Sequence, residues 1–264
     1  MDIFAYFIYL IVGVCAGAIT GLAGASAVVI TAPLLIIFLD MDAYLAIGLS
    51  LATDVVAALV AARIYHKHKN VSLMPAIPLI LFSFIGITIG SYLSKFMASV
   101  HLSFLNGLST LILGILVLSK KGNLKEFNIN FFENLGKTAK KKFIILAVAG
   151  FIIGMVSGMF GSGGGIMLLI VLIFVLGYSV HLAVGTSVLI MIFLAFFGAV
   201  SHFYYKPFSI IVLVISCAGA FFGAIYSSKI ANMLSEKKLK ITVGIIFVVL
   251  GLGLALKAVL NYFL

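Results

Sequence analysis

Residues 158–165 read Gly-Met-Phe-Gly-Ser-Gly-Gly-Gly and interrupt an apolar run that extends over 143–176. Four glycines within 161–165 disfavour a continuous helix, because each costs about 1 kcal/mol relative to alanine. Another apolar run, 3–38, has a similar interruption, Gly-Leu-Ala-Gly-Ala-Ser-Ala at 21–27. An unbroken helix over that run would be about 54 Å long, whereas a bilayer core is about 30 Å thick. We therefore expect each run to fold as a broken helical hairpin or as a span followed by a re-entrant half-helix.

The two interrupted runs are copies of each other. When the sequence is shifted by 137 positions it aligns with itself without a gap, and eight pairs of glycines coincide. The pairs are Gly13/Gly150, Gly17/Gly154, Gly21/Gly158, Gly24/Gly161, Gly48/Gly185, Gly86/Gly223, Gly107/Gly244 and Gly114/Gly251. Such self-similarity indicates duplication, and in a membrane it is typical of transporters. The predicted organisation is a transmembrane repeat over 1–119, a basic cytoplasmic linker over 120–142 and a second repeat over 143–264.

The composition predicts a membrane protein. Hydrophobic residues make up 64% of the chain and charged residues 9%, and the mean hydropathy is +1.33. Few charges remain to cover a soluble surface. The apolar runs are 3–38, 43–65, 73–98, 102–119, 143–176, 180–205, 208–232 and 239–263. Because these runs are continuously apolar rather than alternating, we expect helices rather than a transmembrane barrel.

The net charge of +10 does not indicate a nucleic-acid partner. The basic residues lie in short connections between apolar runs, as cytoplasmic loops beside anionic lipid do. Cys15 and Cys217 lie inside apolar runs and have no metal-ligand spacing. We therefore expect a lipid bilayer around the chain and no metal or cofactor, with a second copy of the chain as a further candidate partner.

The placement of Lys and Arg favours hairpins over single spans. If each long run is a hairpin, 14 of the 17 basic residues lie on one side, and Lys95, Lys206 and Lys257 lie on the other. If each is a single span, the split is 12 to 5. The first distribution obeys the positive-inside rule better. It leaves three full spans per half, so the second copy would enter the membrane inverted. The predicted fold is an all-α polytopic membrane protein of two inverted repeats, each a broken hairpin plus three transmembrane helices, with both termini outside.

The two glycine-rich breaks are the main candidates for a binding site. Unwound backbone at membrane depth is tolerated where it is buried in protein or faces a watery cavity. A helix that restarts there presents unpaired N–H groups and a positive dipole end, which suit an anion. The alternative is close helix packing, which explains the G-x3-G patterns well and the run 161–165 poorly. The candidate substrate-binding residues at the breaks are Gly21, Gly24, Ala25, Ser26, Gly158, Gly161, Ser162, Gly163, Gly164 and Gly165.

Asp54 is the one acidic residue that lies within a predicted span. An ionised carboxylate in a bilayer is costly, so such residues face a cavity or a partner. One interpretation is a coupling site for H⁺ or Na⁺. The other is an acid bonded to nearby hydroxyls such as those of Thr53 or Ser50. Its counterpart in the second copy is Met191, so its role is not symmetric.

Hydroxyl residues in the second run of each half are further candidates. Ser50 and Ser187 are equivalent at the 137-residue offset, and Thr186 precedes Ser187. They can donate to substrate oxygens or bond one helix to another. Several basic residues lie near the ends of these runs, where an interfacial position is expected. These are Arg63, His66, His68 and His202, and for His202 a role at a pore mouth is the alternative.

The same residues resemble the TauE/SafE family of membrane permeases, also called the 4-toluene sulfonate uptake permease family. The likeness covers essentially the whole chain and is carried by Gly17-x3-Gly21-x2-Gly24 with Pro33, by the run 154–165, and by Gly48-x-Ser50 and Gly185-Thr-Ser187. The resemblance implies transport of sulfur-containing organic anions, sulfite or related oxyanions across the plasma membrane of a prokaryote. The first copy departs from the family pattern with Gly24-Ala-Ser-Ala, and the second copy has Ile170 where the first has Pro33.

Three functions are weighed. The leading prediction is a secondary transporter for a small anion, working by alternating access. A passive anion channel is the alternative, since glycine-lined breaks also suit a pore. An enzyme is not expected, because no span carries a reactive Ser/His, paired-carboxylate or His-cluster arrangement.

Overall fold

The computed structural model describes residues 3–72, 77–118, 139–161, 164–231 and 236–263. The described residues form helices joined by short turns, with no strand among them, which confirms the predicted all-α class. The helices are α1 (Ile3–Ala23), α2 (Val28–Leu39), α3 (Ala43–Lys67), α4 (Ile77–Ser94), α5 (Ser99–Leu118), α6 (Ala139–Phe160), α7 (Gly164–Phe174), α8 (Val180–Tyr205), α9 (Ile210–Ala231) and α10 (Glu236–Phe263).

Six helices of the described part are long and apolar enough to cross a membrane: α1, α3, α4, α6, α8 and α9. This confirms a multi-pass membrane protein. The interpretation of α5 and α10 as further spans stays a prediction. Most of the predicted linker, residues 120–138, lies outside the described residues, and the boundaries of the two repeats stay predictions.

The helix boundaries repeat at the offset that the sequence shows. The long helices α3 and α8 begin 137 residues apart, at Ala43 and Val180. Each has a side-chain cap at the equivalent position, where Asp42 accepts from the Leu45 N–H and Ser179 from the Leu182 N–H. The matching caps satisfy the first free N–H groups of each helix in the same way.

Glycines allow two equivalent pairs of helices to pack closely. In α1, Gly13 lies against the backbone of Ser216 and Gly17 against that of Ala220, both in α9. In the second half, the counterparts of these glycines in α6 lie against the backbone of α4. A side chain at these glycines would collide with backbone, so the G-x3-G patterns are packing devices here. The pairing also interlocks the halves, because each pair takes one helix from each copy.

The long helices α3 and α8 cross the centre of the bundle in opposite directions. Near the start of α3 the carbonyl of Tyr44 contacts His202, near the end of α8. At the other end, Gly185 of α8 lies against the backbone of Asn70, which follows α3. An antiparallel crossing of equivalent helices is what inverted repeats require. The inverted placement of the copies in the membrane stays a prediction.

Three cations lie together at one end of the bundle. Lys206 pairs with Asp42 at 3.0 Å, and Lys257 pairs with Asp40 at 2.5 Å. Lys95 lies over the ring of Tyr205, the neighbour of Lys206, at 4.3 Å. The hairpin interpretation predicts this grouping, whereas single spans would separate Lys95 from the other two. α2 ends beside this group. α9 begins beside it and runs parallel to α1, so α1 also begins at this end. The hairpin of α1 and α2 therefore returns to the end at which it starts.

Lys257 also caps the end of the short helix α2. Its Nζ donates to the carbonyl of Ile36 at 2.7 Å and to that of Ile37 at 3.1 Å. A cation at a helix C-terminus satisfies free carbonyls and complements the negative end of the dipole. The second half of the chain therefore holds the end of a helix of the first half.

Candidate functional site

Both breaks begin with a glycine in the left-handed region. Gly24 follows α1 with φ of 60°, and Gly161 follows α6 with φ of 66°. Each N–H donates to the carbonyl four residues earlier, that of Thr20 at 3.1 Å and that of Ser157 at 2.8 Å. This is a common helix ending, in which glycine avoids the steric cost of positive φ. The sequence thus stops each helix at the same point and lets a short helix restart a few residues later.

The two breaks contact each other in the interior. A Cβ on Gly165 would lie 2.6 Å from the backbone N of Ser26 and 2.7 Å from the Cα of Ala25. A Cβ on Gly161 would lie 2.9 Å from Ile47 of α3. Glycine at these positions is what permits the two backbones to approach so closely. The structure thus brings together Gly24, Ala25, Ser26, Gly161 and Gly165.

The carbonyls of the two breaks contact side chains from the other half of the chain. Ser187 Oγ lies 3.1 Å from the Gly24 carbonyl and 2.8 Å from that of Val184. Ser26 Oγ donates to Asp54 and lies 3.5 Å from the Gly161 carbonyl. The contacts with Gly24 and with Gly161 each join one half of the chain to the other. Three more side chains contact backbone carbonyls near the ends of α1 and α6: Tyr65 that of Gly21 (3.1 Å), His202 that of Gly158 (3.0 Å) and Asn106 that of Phe160 (2.7 Å). Several carbonyls of both breaks thus have side-chain partners among the described residues.

Asp54 lies at the first break, close to the start of α2. Its side chain is buried, and the residue is 1% exposed. Each carboxylate oxygen accepts a hydrogen bond from one hydroxyl, that of Thr20 at 2.8 Å and that of Ser26 at 2.8 Å. Asp54 is thus bonded to hydroxyls, but the expectation that they belong to Thr53 or Ser50 is wrong. Thr53 donates instead to the carbonyl one helical turn before it, at 2.8 Å. Spacing along α3 could not reveal the true partners, because they belong to another part of the chain.

The second break has no acid at the equivalent place. Met191 occupies the position related to Asp54 and is buried in α8. Ser157, the counterpart of Thr20, is 4% exposed and its Oγ has no hydrogen-bond partner among the described residues. That oxygen lies against Gly164, the first residue of α7, where a Cβ would collide with it. Two predicted site residues of this break, Ser162 and Gly163, lie outside the described residues.

The other predicted hydroxyls differ in their surroundings. Ser187 reaches the first break, as described above. Ser50 is 1% exposed and its Oγ has no partner among the described residues. Thr186 accepts from the backbone N–H of Ser72 at 3.0 Å, so its hydroxyl serves the turn after α3.

His202 is fully buried, so the expectation of an interfacial position is wrong. Its two ring nitrogens lie 3.2 Å from the Tyr44 carbonyl and 3.0 Å from the Gly158 carbonyl. The ring of Tyr44 also packs on it, with centroids 4.2 Å apart. By contrast, Arg63, His66 and His68 are exposed at the end of α3, as expected.

Reasoning from the sequence missed several residues that hold the breaks. Tyr65 and Asn106 donate to break carbonyls, and Lys257 caps α2. A signal existed for one of them. Tyr65 and His202 are 137 residues apart and hold the equivalent carbonyls of Gly21 and Gly158. Different residue types thus make equivalent hydrogen bonds in the two copies.

Comparison with known proteins identifies relatives. A family model described as "Sulfite exporter TauE/SafE" matches residues 9–254. The chain is similar to "Probable membrane transporter protein YunE" of Bacillus subtilis (strain 168), with 23% identity over 274 residues, which cover 97% of this chain and 100% of that protein. It is also similar to "Probable membrane transporter protein YdhB" of the same organism, with 25% identity over 224 residues, 85% of this chain and 89% of that protein. No solved structure matches.

Proposed function

We propose a function from one premise: this chain belongs to the sulfite exporter TauE/SafE family of membrane transporters. The proposal is that it is a secondary transporter that carries a small anion across the plasma membrane of a prokaryote by alternating access. The substrate class is a sulfur oxyanion, such as sulfite, or an organosulfonate. The substrate crosses without chemical change, so the chain is not an enzyme.

One observation carries the proposal. Two broken helices from different halves of the chain meet in the interior, and a short helix begins at each break. Helix starts offer N–H groups and a positive dipole end to an anion. None of the buried polar side chains of the described residues is Lys or Arg. An anion held by amides and hydroxyls is bound weakly enough to be released, which a carrier requires.

The contacts across the breaks support a rocking motion. Small side chains meet there, and the halves are joined by a few single side-chain contacts, those of Ser187 with Gly24, Asn106 with Phe160 and His202 with Tyr44. Each such bond contributes about 0.5–1.5 kcal/mol net. The break segments can therefore exchange these bonds for others as access changes from one side to the other.

Asp54 is the proposed coupling residue. It is the one acid among the buried polar residues of the described part, and the hydroxyls of Thr20 and Ser26 surround it. A hydroxyl can donate to a carboxylate or turn its lone pairs outward. The cluster can thus take up H⁺, or Na⁺ through converging oxygens, in exchange for its internal bonds.

The test is flux in liposomes that contain the purified protein. A carrier will show saturable uptake of radiolabelled sulfite or taurine that depends on an imposed H⁺ or Na⁺ gradient, and it will show counterflow. A passive anion channel will follow the membrane voltage and show no counterflow. Uptake that follows voltage alone would refute the transporter proposal.

A ligand-stabilisation screen checks the substrate class. A ligand at 100 times its Kd raises the free energy of unfolding by about 2.7 kcal/mol. We expect stabilisation by sulfite, thiosulfate or sulfonates, and less by carboxylates. A response to cationic or apolar compounds alone would contradict an anion site.

A further inference from the structure

A small cavity lies at the end of the bundle that carries Lys206 and Lys257. Its volume is about 110 Å³, which is room for several water molecules or one small solute. Four segments enclose it: the end of α2, the turn between α2 and α3, the start of α5, and α10. Among the described residues, its lining includes none of the two glycine-rich breaks. The cavity is therefore a candidate site of its own.

One part of the lining presents carboxylate oxygens. Asp40 and Asp42 both line the cavity, and the hydrogen bonds that each carboxylate accepts end on Oδ1. The other oxygen of each carboxylate, Oδ2, accepts no hydrogen bond from the residues that the structure describes. Carboxylate oxygens that are free to accept suit a positively charged donor.

Another part of the lining presents hydrogen-bond donors. α5 begins there, and the N–H groups of its first three residues have no acceptor among the described residues. Ser99 Oγ accepts from the Ala43 N–H at 2.9 Å, which leaves the Ser99 hydroxyl proton free to donate. A helix start together with free hydroxyls suits an oxyanion.

The hydroxyl of Ser103 is an independent indication of a ligand. Ser103 is only 7% exposed, it lines the cavity, and its hydroxyl has no hydrogen-bond partner in the described part of the chain. A buried hydroxyl without a partner is unusual in a native structure, because leaving it unpaired costs free energy. An acceptor inside the cavity would satisfy it.

Lys257 also lines the cavity but is not free to hold an anion. Its ammonium group has three N–H donors. It contacts three acceptors, which are two carbonyls at the end of α2 and the carboxylate of Asp40. The donors that remain for a ligand are therefore those of α5.

The charges around the cavity cancel but are separated in space. Lys257 balances Asp40, and Lys206 balances Asp42. A simple anion would meet two carboxylates, and a simple cation would leave the donors of α5 unused. A neutral molecule that carries both charges matches both parts of the lining.

We propose that this cavity binds a small zwitterion. Asp40 and Asp42 hold its ammonium group, and Ser99, Ser103 and the start of α5 hold its oxyanion. The ligand class is an amine joined by a short chain to a carboxylate or a sulfonate. The site goes beyond the proposed function and does not depend on it. Because its lining comes from both halves of the chain, a bound zwitterion stabilises the contact of α2 with α10.

Titration calorimetry on the purified full chain separates the two charges of the ligand. β-Alanine carries an ammonium and a carboxylate, propionate lacks the ammonium, and propylammonium lacks the carboxylate. β-Alanine should bind with a Kd at least about tenfold below that of either analogue, because each analogue loses charge-assisted hydrogen bonds. Equal affinities for the three compounds, or no binding of β-alanine, would overturn the proposal. Neither result bears on the transporter proposal, which the flux assay tests.

A pair of serine variants tests the donors. Ser103→Ala removes a hydroxyl that has no partner, so the unliganded protein should melt as the wild type does. Its Kd for β-alanine should rise about tenfold, the effect of losing a hydrogen bond to a charged group. Ser216→Ala is the control, because that hydroxyl is also buried without a partner among the described residues but lies in α9, away from the cavity. An unchanged Kd in Ser103→Ala, or equal changes in the two variants, would refute the site.

Asp40→Asn tests the carboxylates through selectivity. Asp40 has φ of 48°, a conformation that asparagine tolerates as well as aspartate does. The substitution removes one negative charge from the lining, so β-alanine should bind less tightly and propionate more tightly. The ratio of the propionate Kd to the β-alanine Kd should therefore fall about tenfold. A merely structural role of Asp40 would change both affinities alike, and a constant ratio would contradict the proposal.

Discussion

Gly161→Ala should destabilise the protein far more than Gly177→Ala, although both glycines have positive φ. Gly161 has φ of 66° and Gly177 has φ of 70°, so alanine is strained at either position. Each substitution therefore costs about 1–2 kcal/mol for the left-handed conformation. The surroundings differ, because a Cβ on Gly161 would lie 2.9 Å from Ile47 and against Val28, whereas nothing lies within 4 Å of one on Gly177.

The crowding at Gly161 sets the size of the difference. Overpacking a well-packed interior costs typically about 1–3 kcal/mol. Gly161→Ala should therefore lose about 2–5 kcal/mol in total, against about 1–2 kcal/mol for Gly177→Ala. At the roughly 2–4 °C per kcal/mol typical of soluble chains of similar size, the extra loss corresponds to several degrees.

A thiol-reactive dye measures this difference in detergent. The chain has no Trp but has two cysteines, Cys15 and Cys217, which lie in α1 and α9 and react as those helices unfold. Dye reactivity against temperature gives a melting temperature for each variant. Equal shifts for Gly161→Ala and Gly177→Ala would refute the claim that the two breaks are in close contact.

Three further outcomes are expected. Asp54→Asn should remove the dependence of uptake on an ion gradient but preserve counterflow, and intact gradient dependence in the flux assay would exclude coupling at this residue. Lys257→Met should lower the free energy of unfolding by about 1–3 kcal/mol, because two helix-end carbonyls lose their donor. Lys206→Met is the control: the ion pair of Lys206 is exposed, so its free energy of unfolding should fall by no more than about 1 kcal/mol. His202→Tyr should melt above His202→Phe, because a phenol retains a donor for the Gly158 carbonyl; equal melting temperatures would show that this bond contributes nothing.

The repeat made much of the fold predictable. Glycines at equal spacing fixed where the helices break, and the structure places positive φ at both Gly24 and Gly161. The unusual length of the first run in each half implied a hairpin, and charge placement predicted that Lys95, Lys206 and Lys257 share one end. These features follow from local rules on backbone conformation and from the membrane as a solvent.

The partners of individual side chains could not be predicted in the same way. His202 lies near the end of an apolar run, so hydropathy indicated the membrane interface. The start of α3 covers it, with the Tyr44 ring 4.2 Å away, and that contact joins residues 158 positions apart. The partners of Asp54 likewise come from α1 and the first break rather than from its own helix. Such contacts depend on tertiary packing, which a single sequence does not encode in its local pattern.

The pairing of α1 with α9 has a consequence for how the chain is made. α1 is synthesised well before α9, yet the residue that bonds its Gly17 carbonyl is Ser227, 210 residues later. Its glycine-lined face therefore remains exposed to lipid or to an insertion factor until those 210 residues have been synthesised. Mutations on the α1 face of α9 should consequently act as biogenesis defects, reducing the amount of protein in the membrane before they reduce its activity.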